Sequence, residues 1–257
     1  MNNTKDLLNN LNNLRLGISQ MSVVVGRPDL NVQYILKEVA EAKENGVDII
    51  IFPELCVTGY VIGDMFERED FIRDANKLCD AGLIEASRDG ITVIVGLPVY
   101  DEKMRGEDGV IYSNGVRLGQ TVKTLQPNYR MFDDDRHFYS LRKLAQESGE
   151  GLERFDNVFP VTLKDERIVK IGLMLCEDMW HDDYPYNPGE ILARKGADIL
   201  VNISASPWGW QKNRKRHSVV KKLVSECRVP LVYVNNVGLQ NNGKNLIVFD
   251  GSSTVYS

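Results

Sequence analysis

The stretch IVKIGLMLCEDMW, residues 168–180, decides the fold because an apolar run in it ends at a reactive side chain. Its first half is rich in branched apolar residues and predicts a β-strand that stops directly before Cys176. A helix is predicted next, over residues 188–195. A strand followed by a helix is the repeating unit of an α/β domain.

The same alternation extends outward from this stretch in both directions. Strands are predicted at residues 14–18, 48–52, 91–97, 198–203 and 230–235. Helices are predicted from Ile35, Val39 and Ala42 up to Gly46, and at residues 71–88 and 213–227. This order predicts stacked α/β layers, but spacing alone does not separate a single doubly wound sheet from a two-sheet sandwich.

Three segments interrupt the alternation. Residues 110–123 predict a hairpin with a tight turn at Asn114–Gly115. Residues 128–153 are polar and charged and predict a loop. Residues 246–249 and 252–256, split by Asp250–Gly251, predict a terminal hairpin.

The composition favours a compact enzyme that acts on small molecules. With 257 residues that are 43% hydrophobic, the chain can bury a large core, and we expect a single domain over residues 1–257. A net charge of -5 gives no electrostatic reason to bind nucleic acid or a membrane surface. Residues 1–13 lack an apolar core of signal-peptide length, and the four cysteines suggest neither a metal site nor a disulfide framework. We therefore expect a cytoplasmic protein without a bound metal.

Two charged runs have competing interpretations. The basic run at residues 212–216 would suit a nucleic-acid patch, but a solvated helix face with one substrate-binding lysine is the better hypothesis for an acidic protein. The acidic run Asp133–Asp134–Asp135 lacks the ligand spacing of a metal site and predicts a solvated loop.

Three reactive side chains follow apolar strands: Glu54, Lys123 and Cys176. Amide cleavage by a thiol needs a base for the thiol proton, a cation or donor for the oxyanion, and a proton for the departing ammonia. A lysine beside the sulfur favours the thiolate, and a carboxylate in a dry pocket has the proton affinity of a general base. Glu, Lys and Cys can together supply this chemistry.

Each of these residues also has a simpler interpretation when it is taken alone. Cys176 could be a packed inert thiol, Glu54 a loop cap, and Lys123 a solvated hairpin lysine. A Cys-His arrangement has weak support, because the three histidines lie in polar, charged segments.

Sequence context favours the chemical interpretation. The blocks FPELCVTGY (52–60), VKTLQPNYRMFDDDRHF (122–138) and LCEDMW (175–180) resemble the three catalytic blocks of the nitrilase, or carbon-nitrogen hydrolase, superfamily. Within it, PNYRMF, CEDMW, NISASPW (202–208) and residues 233–253 are similar to the N-terminal glutaminase domain of glutamine-dependent NAD synthetases. The resemblance covers nearly the whole chain.

The resemblance implies a fold and a set of catalytic roles. It implies a nitrilase-type α-β-β-α sandwich, which pairs through a helical face into a homo-oligomer. It also implies that Glu54 is the general base, Lys123 the oxyanion lysine, and Cys176 a nucleophile that forms a glutamyl thioester. The implied reaction releases ammonia from L-glutamine.

The resemblance also implies the substrate-binding residues. By motif, these are Tyr129, Ser206 and Lys212, and the charge of Lys212 suits the substrate α-carboxylate. Glu177, beside the nucleophile, could meet the α-ammonium.

Two departures from the family pattern bear on the site. Asp134 stands where the family has a longer, supporting glutamate, which shortens the carboxylate that would reach Lys123. Gln211 stands where the family has the glycine before its binding lysine, and Trp210 precedes it.

The ammonia needs an acceptor. NAD synthetases carry ATP and Mg²⁺ on a synthetase domain with a Ser-Gly-Gly type phosphate loop, and these 257 residues contain neither that loop nor a GxxxxGK[ST] or GxGxxG motif. We therefore expect no cofactor in this chain and a synthetase domain or subunit as partner. Two alternatives remain: a stand-alone amidase for another small amide, or a catalytically decayed domain that acts as a binding partner.

Overall fold

A computed structural model of the protein describes residues 11–100 and 105–257. The expectation about a signal segment concerns residues 1–13 and falls mostly outside these ranges. The helices in the described ranges are α1 (Pro28–Glu44), α2 (Glu69–Ala86), α3 (Asp134–His137), α4 (Leu141–Ser148), α5 (Pro188–Arg194) and α6 (Lys212–Cys227). The strands are β1 (Leu16–Ile18), β2 (Ile49–Ile51), β3 (Thr92–Tyr100), β4 (Arg105–Ser113), β5 (Val116–Val122), β6 (Val158–Thr162), β7 (Ile168–Leu175), β8 (Ile199–Ser204), β9 (Leu231–Asn235), β10 (Val237–Asn241), β11 (Leu246–Asp250) and β12 (Thr254–Tyr256).

Two five-stranded sheets form the centre of the molecule. The first has the order β1-β2-β3-β4-β5, and the second has the order β12-β9-β8-β7-β6. The strands β1, β2 and β3 run parallel in the first sheet, as do β7, β8 and β9 in the second, whereas the other pairings are antiparallel. Glu54 and Cys176 follow the carboxyl ends of the parallel strands β2 and β7, and Lys123 follows β5.

Strand alternation divides the core into layers. Ile49 and Ile51 of β2 pack in one cluster with Leu173 of β7, between the two sheets. Ile50 points the other way and packs with α1 and α2, while Met174 of β7 packs with α5 and α6. Because successive side chains of a strand face opposite sides, one apolar run fills two layers. The result is an α-β-β-α sandwich, which resolves the choice left open by spacing.

Most predicted elements are present, and the hairpin at Asn114–Gly115 is confirmed. Both turn residues have positive φ, 51° and 77°, as a two-residue hairpin turn requires. However, β4 begins at Arg105 and not near Val110, so the polar pair Glu107–Asp108 lies inside the sheet. Strand β4 pairs with β3 along its whole length. The strand therefore extends beyond its apolar half into the polar segment.

The predicted terminal hairpin is wrong. Strand β11 pairs with β10 in a separate two-stranded sheet, while β12 pairs with β9. The chain changes direction at Gly251 and Ser252, whose φ angles are 62° and 54°. The side chain of Asp250 is held by Arg216, and the N–H of Gly251 donates to the carbonyl of Asn236. These contacts separate the two strands that the sequence pattern joined.

The predicted loop at residues 128–153 contains two helices, so this prediction is also wrong in part. Ser140 caps α4 by accepting a hydrogen bond from the N–H of Lys143, and Gly149 ends the helix with a φ of 70°. Leu141 and Ala145 bury its apolar side. The short helix escaped a pattern search because its exposed positions are all polar.

Within the described ranges, every helix is too short or too polar to cross a membrane.

Candidate active site

Three strand ends bring Glu54, Lys123 and Cys176 together. Glu54 follows β2, Lys123 follows β5, and Cys176 follows β7, so the two sheets contribute to one site. The ammonium of Lys123 lies 2.7 Å from Oε1 of Glu54, and both side chains are buried. The charge of Glu54 raises the pKa of the Cys176 thiol and that of Lys123 lowers it, so the three groups are neighbours.

Glu54 is fixed from all sides. Its second oxygen accepts a hydrogen bond from the N–H of Ala205, and its carbonyl accepts one of 2.9 Å from the side chain of Asn236. Strand β3 passes so closely that a Cβ at Gly96 would lie 2.5 Å from the nitrogen of Leu55 and 2.7 Å from Cα of Glu54. The absence of a side chain at Gly96 therefore allows Glu54 its position.

Lys123 is surrounded by three carboxylates. Its Nζ donates to Glu54 at 2.7 Å, to Asp134 at 2.6 Å and to Glu107 at 3.1 Å. Burial lowers the pKa of Lys123, but the charges of Asp134, Glu107 and Glu54 outweigh it and raise the pKa well above its usual range. The lysine is therefore a permanent cation that uses its three donors on carboxylates.

Asp134 reaches Lys123 although it is shorter than the glutamate of the family pattern. It belongs to α3, is 3% exposed, and accepts a hydrogen bond from the hydroxyl of Tyr60 in addition to that from Lys123. The prediction of a solvated acidic loop is therefore wrong for Asp134. Helix α3 brings Asp134 close enough to Lys123 to make up for the missing methylene.

Cys176 occupies a strained position at the tip of β7. Its φ of 40° lies in the left-handed region, and a short 3₁₀ turn, Cys176–Met179, begins there. Burial, followed by the charge of Glu54, raises the pKa of the thiol well above its usual range, and the opposing effect of Lys123 does not reverse this. Lys123 thus favours the thiolate, as the sequence predicts, but burial and Glu54 outweigh it. The resting sulfur is a thiol that needs a base.

A cavity of about 1150 Å³ opens over Cys176 and Lys123. Its walls include the four residues that are predicted from the sequence to bind substrate: Tyr129, Glu177, Ser206 and Lys212. Glu54 and Asp134 accept hydrogen bonds from the ammonium of Lys123. The exposed indoles of Trp208 and Trp210 stand at the mouth.

Glu177 is a buried carboxyl group that lines the cavity. Its carboxylate accepts hydrogen bonds from the hydroxyls of Tyr129, at 3.2 Å, and Tyr184, at 3.1 Å. Burial raises its pKa, although Lys123 and these hydroxyls act in the opposite direction. The two tyrosines hold the carboxylate in a fixed orientation toward the cavity.

Lys212 lies at the start of α6 on another wall. Its ammonium is 5.8 Å from the centre of the Phe132 ring, and burial lowers its pKa. The preceding residue, Gln211, has a φ of 58°, a conformation that favours glycine. Gln211 therefore adopts a backbone conformation that suits glycine, the residue that the family pattern has at this position.

Ser206 is positioned by two buried side chains. Asn235 accepts from its N–H at 2.8 Å and donates to its carbonyl at 3.0 Å. Arg216 donates to its hydroxyl at 3.3 Å while pairing with Asp250. The prediction of a solvated basic helix face is thus wrong for Arg216, which is 2% exposed.

Two further acids at this site are not marked by any of the sequence motifs. Asp178 accepts hydrogen bonds from the N–H groups of Thr124, Leu125 and Leu175, and Glu107 contacts Lys123. The available signal for Glu107 was an acid three residues before the apolar run that begins at Val110. Asp178 lies two residues after the nucleophile, where its side chain could have been predicted to cap the turn.

Among the described residues, no group of three or more His, Cys, Asp or Glu side chains is arranged to hold a metal ion. The carboxylates of Glu54, Glu107 and Asp134 converge on the ammonium of Lys123 instead.

The carbon-nitrogen hydrolase family profile matches residues 15–257. The chain belongs to the carbon-nitrogen hydrolase family. This carbon-nitrogen hydrolase is 29% identical over 252 residues to the glutamine-dependent NAD(+) synthetase of Synechocystis sp., covering 93% of this chain and 41% of that protein. It is 32% identical over 244 residues to the enzyme of the same name from Aquifex aeolicus, covering 95% of this chain and 38% of that protein. The chain thus spans about two fifths of the length of these relatives.

Solved structures agree with the family assignment. The glutamine-dependent NAD+ synthetase of Acinetobacter baumannii superimposes with a TM-score of 0.77 at 27% identity, covering 93% of this chain and 40% of that one. An amidase from Nesterenkonia sp. AN1 has the same fold, with a TM-score of 0.73 at 20% identity, covering 94% of this chain and 84% of that one. The nitrilase-type sandwich expected from sequence motifs is confirmed.

Proposed function

We propose that this chain is a glutaminase domain, which hydrolyses the side-chain amide of L-glutamine through Cys176 and supplies ammonia for ATP-dependent NAD synthesis. The observation that carries the proposal is the joining of Glu54, Lys123 and Cys176 under a cavity whose walls hold Glu177 and Lys212. The first three residues suit amide cleavage, and the last two suit the charged ends of an amino acid.

Glu54 is the base in the first step. Because the resting sulfur is a thiol, Glu54 takes its proton as the sulfur attacks the amide carbon. Lys123 contributes its positive charge to the developing oxyanion from a dry site. The carbon–nitrogen bond then breaks, and Glu54 returns the proton to the departing ammonia.

Hydrolysis of the thioester completes the cycle. Glu54, again ionised, removes a proton from water as the oxygen attacks the thioester carbon. The carbon–sulfur bond breaks, the sulfur regains a proton from Glu54, and glutamate leaves. Asp134 is a supporting residue, because it accepts a hydrogen bond of 2.6 Å from the ammonium of Lys123.

Opposite charges on the cavity walls favour an α-amino acid. The carboxylate of Glu177, oriented by Tyr129, suits the α-ammonium, and the ammonium of Lys212 suits the α-carboxylate. Ser206 also lines the cavity. A neutral amide such as acetamide would leave both wall charges without a counter-ion.

The acceptor of ammonia is proposed to be a NAD synthetase domain or subunit that carries the ATP and Mg²⁺. The named relatives are glutamine-dependent NAD(+) synthetases, and this chain matches only 41% and 38% of their lengths. We further propose a homo-oligomer paired through a helical face, which light scattering after size exclusion would test. Turnover by the chain alone is expected to be low until the synthetase partner is added.

Ammonia release from a panel of amides tests the proposal. Glutamine is expected to be preferred over asparagine, an N-carbamoyl amino acid and simple aliphatic amides, and Cys176→Ala is expected to release none. Preference for another amide would favour the stand-alone amidase, and no release from any amide, with or without the synthetase, would favour a decayed domain. The matched control Cys79→Ala removes a buried thiol far from the cavity.

A further inference from the structure

Glu107 is a third carboxylate on a single ammonium. It belongs to β4, where alternation turns it toward the opposite sheet together with Gly109 and Ile111. The N–H of Lys123 donates to its carbonyl at 2.9 Å, and Nζ of Lys123 donates to its Oε2 at 3.1 Å. The residue is therefore fixed to the lysine through both backbone and side chain.

The charges at this point do not balance when all groups are ionised. Glu54, Glu107 and Asp134 are each at most 3% exposed, and Lys123 is the cation that all three contact. Three buried anions around one cation leave two uncompensated negative charges, which is strongly unfavourable in a dry interior. One proton on a carboxylate removes half of this excess.

Glu107 is the carboxylate with room for that proton. Both oxygens of Glu54 accept hydrogen bonds, and so do both oxygens of Asp134. Oε1 of Glu107, by contrast, is buried and has no hydrogen-bond partner within the described residues. Glu54 and Glu107 contact the same Nζ of Lys123, at 2.7 and 3.1 Å, so the two carboxyl groups are neighbours. A hydrogen bond between them requires a proton on one of the two.

We propose that Glu107 carries a proton in the resting enzyme and donates it in a hydrogen bond to Glu54, which makes it a positioning residue for the base. The charged and titratable groups that face it are Lys123 after β5, Glu54 after β2, Asp134 in α3, and the hydroxyl of Tyr60. Burial, followed by the charge of Glu54, raises the pKa of Glu107 well above its usual range.

This arrangement determines which carboxylate receives the thiol proton. A protonated Glu107 cannot accept another proton, and its hydrogen bond orients Glu54 without placing a second negative charge beside it. At alkaline pH, loss of the proton from Glu107 adds that charge and opposes formation of the thiolate at Cys176. The proposal rests on the proposed function for this consequence alone, because the protonation itself is a property of the resting protein.

Infrared difference spectroscopy at neutral pH tests the protonation directly. The wild type minus Glu107→Gln spectrum is expected to contain the C=O stretch of a buried carboxylic acid, which shifts in D₂O. The control Glu85→Gln removes an exposed, ion-paired carboxylate and is expected to show only the bands of an ionised group. Carboxylate bands without an acid band for Glu107 would overturn the proposal.

Thermal unfolding and pH profiles give independent readouts. Gln reproduces the donor and acceptor of a protonated Glu, so Glu107→Gln is expected to fold with a Tm at pH 8 that equals or exceeds the wild-type value. A variant that fails to fold or melts lower would contradict the proposal. In turnover, the alkaline limb of kcat is expected to move to higher pH in Glu107→Gln, and Glu107→Ala is expected to lose about tenfold more kcat than Glu107→Gln. An unmoved limb would count against the proposal, whereas absence of turnover in the wild type would count against the glutaminase function instead.

Discussion

The carboxylate of Asp178 accepts a hydrogen bond of 2.7 Å from the N–H of Leu125, two residues after Lys123. The same carboxylate also accepts from the N–H of Thr124 and from the N–H of Leu175, directly before Cys176. One buried side chain thus joins the segment that carries the lysine to the turn that carries the thiol. The two sheets are therefore joined at the point where the chemistry is proposed to occur.

We expect Asp178→Asn to separate these two segments. An amide has one acceptor oxygen, and its NH₂ group would face a buried N–H donor. The free energy of unfolding should fall by about 2–4 kcal/mol, because each unsatisfied buried donor costs about 1–3 kcal/mol. Urea unfolding measures this loss, and Asp182→Asn, an exposed neighbour, should change it little. Equal stability of the two variants would contradict the joining role.

Gly96→Ala should displace Glu54. The new Cβ would lie 2.5 Å from the nitrogen of Leu55 and 2.7 Å from Cα of Glu54, and both are backbone atoms that cannot rotate away. We expect a loss of about 1–3 kcal/mol in unfolding free energy, as for other overpacked sites, together with a fall in kcat. At Gly151 the new Cβ would meet only the flexible end of Glu153, so Gly151→Ala should leave both values near wild type. Wild-type kcat in Gly96→Ala would contradict this account.

Substrate affinity should depend on the protonation of Glu177. Burial raises the pKa of this carboxyl, so it becomes neutral at a higher pH than an ordinary glutamate, whose pKa is about 4.3. A neutral Glu177 cannot pair with the α-ammonium of glutamine. KM should therefore rise as pH falls through the raised pKa, and Glu177→Gln should have a high KM that no longer changes over this range. A wild-type KM that is flat over the same range would contradict the assignment.

The fold could be predicted because a short run of apolar residues indicates a strand that is buried on both faces. The run at Ile49–Ile51 predicts a strand between two apolar layers, and the structure confirms it. Pairing partners are not encoded in such runs. Strand β12 was therefore assigned to β11, although its partner β9 lies about twenty residues earlier in the chain.

The candidate site was predictable only where a motif marks a residue. Glu54, Lys123 and Cys176 are placed together by the structure as the motifs predicted, and their catalytic roles remain proposals. Glu107 and Asp178 were missed because their importance comes from partners that are distant in sequence. Glu107 lies beside Glu54 and Asp134 because all three contact Lys123, and no local sequence pattern contains this grouping.

The loop before Lys212 offers a further prediction. Gln211 has a φ of 58°, where a side chain is strained by roughly 1 kcal/mol and glycine is not. We therefore expect Gln211→Gly to leave the Tm unchanged or raise it slightly and to keep Lys212 in the cavity wall. Gln211→Val should lower both the Tm and the affinity for glutamine, because a β-branched residue is least suited to this conformation. A Gly variant that is less stable than the Val variant would contradict this.

The central claim is that Cys176 is the nucleophile of a site that binds glutamine. The most direct measurement is intact mass after incubation with a chloroketone or diazo-ketone analogue of glutamine, with Cys176→Ala as control and excess glutamine as competitor. The account predicts a single stable adduct on Cys176 that forms more slowly when glutamine is present. No adduct on folded protein, even with the synthetase partner added, or an adduct that persists in Cys176→Ala, would contradict it.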